Sequence, residues 1–234
     1  MCGRLVQSVA PHRIAEEFFL DTVPDVLPRF NIAPTQDIIA VLANADCDGR
    51  QVNVFRWGLV PHWATNTDNA PHLINARCET VHQKSSFKES FQFRRCLIPV
   101  NGFYEWQKRS DGKQPYLFQP RDKSLFALAG IWDRWEYPGG NVLKSCTILT
   151  TVANKVMRPI HHRMPVIVNA DHWDLWLQTP ADEVESLQPL FEPNAGPQLQ
   201  AAPVSREVNK PAFDNPRCLE PIWDDRGGQL NLFG

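Results

Sequence analysis

The 234-residue chain lacks several features, and each absence excludes a class of function. Its six cysteines (Cys2, Cys47, Cys78, Cys96, Cys146 and Cys218) form no Cys-x-x-Cys pair and no close Cys/His pairing, so neither a metal nor another cofactor is expected. Their wide scatter suits a reducing cytoplasm better than a disulfide framework. No run of eighteen apolar residues is present, which argues against a membrane-spanning helix, and the opening residues do not build the apolar core of a signal peptide. Internal repeats are missing too. Nor is there a positive excess: 24 Lys and Arg stand against 26 Asp and Glu, a formal net charge of −2. That balance argues against an indiscriminate nucleic-acid binder, so any charge that meets DNA must be local.

What is present describes a globular protein. Hydrophobic residues make up 43% and charged residues 21% of the chain, enough to bury a full core in one or at most two domains. Residues 11–20 read as a short amphipathic helix with Ile14 and Phe18 inward. Strand patterns follow at 38–42, 52–57, 96–100, 103–107, 116–119, 126–131, 144–151 and 165–168, and Asp111-Gly112 marks a hairpin. Helices are expected at 87–93, 172–177 and 180–190. Many short strands and 20 prolines predict an α+β fold: a single compact domain with a curved, largely antiparallel β-sheet core and a few short helices. The domain is expected over 1–222. Residues 223–234, which run through Gly227-Gly228 into Gln229-Leu230-Asn231-Leu232-Phe233, read as a tether ending in a short peptide.

The second residue carries distinctive chemistry. Once Met1 is removed, Cys2 presents an amine that titrates near ~7.7–8 beside a thiol that titrates near ~8.5. Such a 1,2-aminothiol attacks an acyl carbon with its own amine as base, or condenses with an aldehyde and closes a thiazolidine ring. The ring closure is intramolecular, a class that reaches effective molarities of roughly 10⁵–10⁸ M.

Further polar clusters sit where strands or turns end. They are Asn31-Ile32-Ala33-Pro34-Thr35, Trp57-Gly58-Leu59-Val60-Pro61-His62-Trp63 and Leu73-Ile74-Asn75-Ala76-Arg77-Cys78-Glu79-Thr80. Asn101-Gly102-Phe103-Tyr104-Glu105-Trp106 and Ile160-His161-His162-Arg163-Met164-Pro165 follow. With the opening Met1-Cys2-Gly3-Arg4, the chain closely resembles the SRAP family (SOS response-associated peptidase domain) from Cys2 to about Pro221. That family includes bacterial and animal proteins that shield abasic sites in single-stranded DNA.

The resemblance implies four catalytic residues. Cys2 would capture the ring-opened aldehyde, and Asn75 would hold Cys2 or the sugar through its amide. Glu105, beside Tyr104 and Trp106, would be the acid/base, with a pKa that burial raises. His161 would be a second proton carrier. It also implies DNA contacts from Arg4 and Arg77, with Lys88, Arg94, Arg95 and Arg163 as further candidates, and apolar wedging by Pro34 and Trp63. The partner would be single-stranded DNA with an abasic site, met by a monomer. The tail peptide resembles the bacterial sliding-clamp-binding motif, with Gln229, Leu230, Leu232 and Phe233 as its contacts. Two other enzyme readings remain open. Cys2-Gly3 with Asn101-Gly102 imitates a glutamine amidotransferase, and Cys2 also suits a peptidase. A non-covalent damaged-DNA binding module is the third alternative.

Overall fold

The computed structural model describes residues 2–23, 25–44, 49–67, 73–193 and 197–222. In chain order it builds β1 (Leu5–Gln7), α1 (Pro11–Phe18), β2 (Arg29–Ile32), β3 (Asp37–Ala43) and β4 (Arg50–Trp57). Next come β5 (Asn75–Arg77), α2 (Lys88–Phe93), β6 (Arg95–Val100), β7 (Gly102–Arg109) and β8 (Gly112–Pro120). The chain continues with β9 (Phe126–Glu136), β10 (Val142–Val152), β11 (Arg163–Pro165), β12 (Ile167–Val168), α3 (Trp173–Gln178) and β13 (Leu199–Pro203). The helix expected at 180–190 is a 3₁₀ helix, Val184–Phe191. Pro189 lies inside it and has no N–H for an α-helical bond.

The α+β reading holds, and the β core is divided over two sheets. One is antiparallel, in the order β13-β8-β7-β1-β2. In the other, β3 pairs β4, β4 pairs β10, β10 pairs β9, β9 pairs β6 and β6 pairs β3, so five strands close into a ring. Strand alternation sorts its side chains. Ile38, Ala40, Leu42, Cys96, Ile98, Cys146 and Ile148 fill the interior. Ile39, Val41, Leu97, Ala129 and Leu149 point outward, under residues of α1, α2 and α3. A Cβ on Gly130 would lie 2.8 Å from Cys96 Sγ, so the interior has no room for a side chain there. The five-stranded sheet contributes Phe103, Tyr116 and Phe118 to the same interior cluster, to which Cys2 also belongs.

The ring has a weak seam. Between β3 and β6 the one register pair is Val41 with Leu97. The buried Gln7 of β1 fills the gap. Its Nε2 donates to the carbonyls of Ile39 and Pro99 at 3.1 and 2.8 Å, and its Oε1 accepts from the Ile39 N–H at 3.2 Å. A side-chain amide thus replaces missing ladder bonds and ties the N-terminal strand to the ring.

Candidate active site

β1 sets the position of Cys2, because it is paired on one side with β2 and on the other with β7. Cys2 is fully buried (0% exposed). Burial, followed by the charge of Glu105, pushes its thiol well above the ordinary range. Asn75 opens β5, which runs parallel to β10, and its Nδ2 donates to the Cys2 carbonyl at 2.8 Å. The Asn75 Oδ1 is also buried, with no hydrogen-bond partner among the described residues. Ala76 points into the outer core, so alternation places Arg77 on the Asn75 face, where it is exposed.

Glu105 lies on β7, on the same face as Phe103, and is 3% exposed. Its Oε1 lies 3.8 Å from His161 Nδ1. His161 Nδ1 lies 3.1 Å from both the N–H and the carbonyl of Arg163, which hold the ring in place. Gln107, two residues along β7 from Glu105, donates to the Pro159 carbonyl at 3.2 Å and so fastens the His161 loop to the Glu105 strand. His161 stacks on the exposed His162 at 4.5 Å, and the His161 charge lowers the His162 pKa.

Above these residues opens a cleft of about 480 Å³, lined by Gly3, Arg4, Glu105, Trp106, Lys113, His161 and Asn209. Lys113 is an addition to the residues expected from sequence. Asn209 is placed by its Oδ1, which accepts from the Trp106 indole at 2.7 Å. Arg4 sits 5.6 Å from the Trp106 ring centre.

The arginines divide sharply. Arg95 is buried and donates to the carbonyls of Phe91, Gln92, Trp176 and Thr179, so it serves the fold and corrects the phosphate-contact expectation. Arg163 is likewise buried, in a two-pronged pair with Glu79 at 2.5 and 2.8 Å and a bond to the Thr150 carbonyl. Arg4 is mostly buried, with NH1 committed to Asn31 Oδ1 and the Val208 carbonyl at 2.6 and 2.5 Å. Arg94 pairs with Glu89 and Asp133. Arg77 and Lys88 are exposed, Pro34 is half-buried and Trp63 is 55% exposed.

One residue chain joins these places. Trp57 is buried in the Cys2 cluster. Its indole donates to the Ile74 carbonyl at 2.9 Å, and its backbone bonds Thr35 and Gln36, next to Pro34. Gly58, at φ +122°, then turns the chain toward Trp63. Asn101, the amidotransferase-like residue, has its amide engaged elsewhere. Its Oδ1 accepts from the Ser8 N–H at 2.9 Å and its Nδ2 donates to Ser8 Oγ at 2.8 Å. No cluster of three metal-ligating side chains occurs among the described residues, and none of their helices is long and apolar enough to cross a membrane. The tail residues Gln229, Leu230, Leu232 and Phe233 lie outside the described residues.

Comparison with known proteins agrees with this geometry. A family model described as SOS response associated peptidase (SRAP) matches residues 1–211. The chain is 37% identical over 225 residues to "Abasic site processing protein YoqW" of Bacillus subtilis (strain 168), covering 94% of this chain and 99% of that protein. It is 35% identical over 225 residues to "Abasic site processing protein HMCES" of Gallus gallus, covering 83% of this chain and 66% of that protein. A crystal structure of a protein from Bacteroides thetaiotaomicron shares the fold at a TM-score of 0.81 and 24% identity, covering 95% of this chain and 100% of that one. With the family model matched over 1–211 and relatives similar over nearly the whole chain, the chain belongs to the SOS response associated peptidase (SRAP) family.

Proposed function

We propose that the protein processes abasic sites in single-stranded DNA by capturing the ring-opened sugar on Cys2 as a thiazolidine. The observation that carries this reading is that Asn75 holds the Cys2 backbone while Glu105, whose charge acts on the Cys2 thiol, faces His161 in a cleft that the neighbouring Gly3 also lines. Relatives named abasic site processing proteins add support over nearly the whole chain. After removal of Met1, the Cys2 amine adds to the C1′ aldehyde. The carbinolamine then loses its hydroxyl as water, with Glu105 and His161 passing the proton that this departure needs. Finally the thiol sulfur adds to the imine carbon and the thiol proton ends on nitrogen. One water leaves overall.

Because burial and the Glu105 charge keep the thiol protonated, the amine leads and sulfur follows. Reversal runs through the same groups. All of them come from one chain, so a monomer suffices. Arg77, Lys88, Pro34 and Trp63 are the DNA contacts that their exposure favours. An aldehyde inside intact duplex is poorly presented, which makes a single strand the substrate. The engaged amide of Asn101 weighs against the amidotransferase reading.

Intact-mass analysis of protein mixed with a single-stranded oligonucleotide bearing one abasic site tests the reading. The expected product is protein plus DNA minus one water, formed by wild type and absent in Cys2→Ala, which still holds the DNA. No adduct from protein with a verified free Cys2 refutes covalent capture. We further assign Gln229–Phe233 to the sliding clamp, which would bring the protein to replication forks. Loss of clamp binding on removal of 223–234 is the result expected, and unchanged binding overturns the assignment.

A further inference from the structure

Trp63 is 55% exposed, yet the turn that carries it is tied down from β9 and β10 by three buried side chains. Asp133, 2% exposed, accepts from the His62 N–H at 2.9 Å, and the same oxygen lies 3.0 Å from His62 Nδ1. The Trp135 indole donates to the Ala64 carbonyl at 2.6 Å. Ser145 Oγ accepts from the Val60 N–H at 2.8 Å. Arg94 Nε sits 3.2 Å from the second Asp133 oxygen, and Glu89 of α2 lies 3.4 Å from His62 Nε2 on the outer side. The backbone is therefore fixed immediately before and after Trp63, while the ring faces solvent.

Burying a carboxylate is costly unless it is paired and hydrogen-bonded. A surface turn gains little fold stability from one, so the feature points to the side chain that the turn displays. The same segment abuts the site. Leu59 N–H donates to the Leu73 carbonyl at 3.1 Å, two residues before Asn75.

We propose that Asp133 is a positioning residue that mounts Trp63 as a preformed stacking surface for a base beside the abasic sugar. This rests on the DNA reading above. An aromatic ring on a fixed backbone loses little freedom on binding, so more of its stacking energy appears as affinity. Base–aromatic stacking of ~1–3 kcal/mol corresponds to roughly 5- to 150-fold in affinity.

The test is a double-mutant cycle on the full chain, read as affinity for an undamaged single-stranded oligonucleotide by fluorescence anisotropy. Trp63→Ala is expected to weaken binding by roughly 5- to 150-fold. Asp133→Asn, which keeps the side chain's size, is expected to weaken it by about threefold or more. The double variant should be no weaker than Trp63→Ala within about twofold. Trp135→Phe removes the indole bond to Ala64 together with part of the packing under the turn and should give the same non-additive pattern, which covers the case of a poorly folding Asp133 variant. Additive losses in the double variants, or full affinity in Trp63→Ala, overturn the proposal. Capture of 2-deoxyribose 5-phosphate by wild type is measured alongside. Its absence would overturn covalent capture alone, since the cycle is read on undamaged DNA.

Discussion

Asn75 donates its side-chain amide to the main-chain carbonyl of Cys2, 73 residues away in sequence, at 2.8 Å. The donor sits at the start of a strand paired with Ile148 of β10, so the grip comes from a sheet and not from a loose loop. The other end of the amide, Oδ1, is buried and has no hydrogen-bond partner among the described residues.

Replacing Asn75 with Ala removes one hydrogen bond from the nucleophile's backbone, a contact worth about 1 kcal/mol to stability. The larger effect falls on reaction geometry. Adduct formation at saturating abasic DNA should slow by roughly 10- to 100-fold, since misplacing a reacting group by about 1 Å carries a cost of that order. A time course of intact mass checks this, and a wild-type rate would show the hold to be dispensable.

Glu105→Gln keeps the size and burial of the side chain and removes its capacity to exchange a proton. The expected slowing is about 10²- to 10⁴-fold, with affinity for undamaged single-stranded DNA near wild type. His161→Ala should slow the reaction less if Glu105 is the principal acid. Equal losses would instead make the pair, 3.8 Å apart, a single catalytic unit.

The Arg163 guanidinium holds the Glu79 carboxyl below the usual carboxylate range. Its folded pKa is thus lower than its unfolded value of ~4.3. The resulting stabilisation is fully present above that value and is lost as pH falls through the folded pKa. A Glu79→Gln variant should melt below wild type at pH 6, and the gap should narrow as the pH falls below the unfolded value of ~4.3. Because the Glu79 side chain is 47% exposed, the gap should be small. A gap that widens in acid would contradict the linkage.

Gln7→Ala leaves the Ile39 N–H and the carbonyls of Ile39 and Pro99 without the amide that serves them. Buried unsatisfied groups cost about 1–3 kcal/mol each, so with three of them a loss of roughly 3 kcal/mol or more is expected in chemical denaturation. Gln7→Glu keeps an acceptor and loses the donor, and it should recover little. A loss of less than about 0.5 kcal/mol in Gln7→Ala, the size of an ordinary surface change, would mean that the seam is held without it.

The long strands were legible as continuous apolar runs, which a sheet covered on both faces demands: 38–42 lies within Asp37–Ala43, and 126–131 within Phe126–Glu136. β1 and β5, three residues each, are too short to show a period, and β2 lies among prolines that read as turns. These illegible strands carry Asn75 and set Cys2, so the motifs pointed to the site while its scaffold stayed hidden. Burial of Glu105 was readable from its aromatic neighbours. The roles of the arginines were not, because a guanidinium that ties four carbonyls, as Arg95 does, has the same letter as one that meets solvent, as Arg77 does. The part played by Asn209 was not legible either, since it lies in the indole that it orients.

Complete burial of Cys2 ties it to the closure of the fold. β1 is held by β7, about a hundred residues further along the chain, and the His161 loop comes later still. The surroundings of Cys2 are therefore assembled by contacts of long sequence separation, the kind that form slowly in folding. A thiol reagent applied to the folded chain would thus read the integrity of those contacts and not its surface.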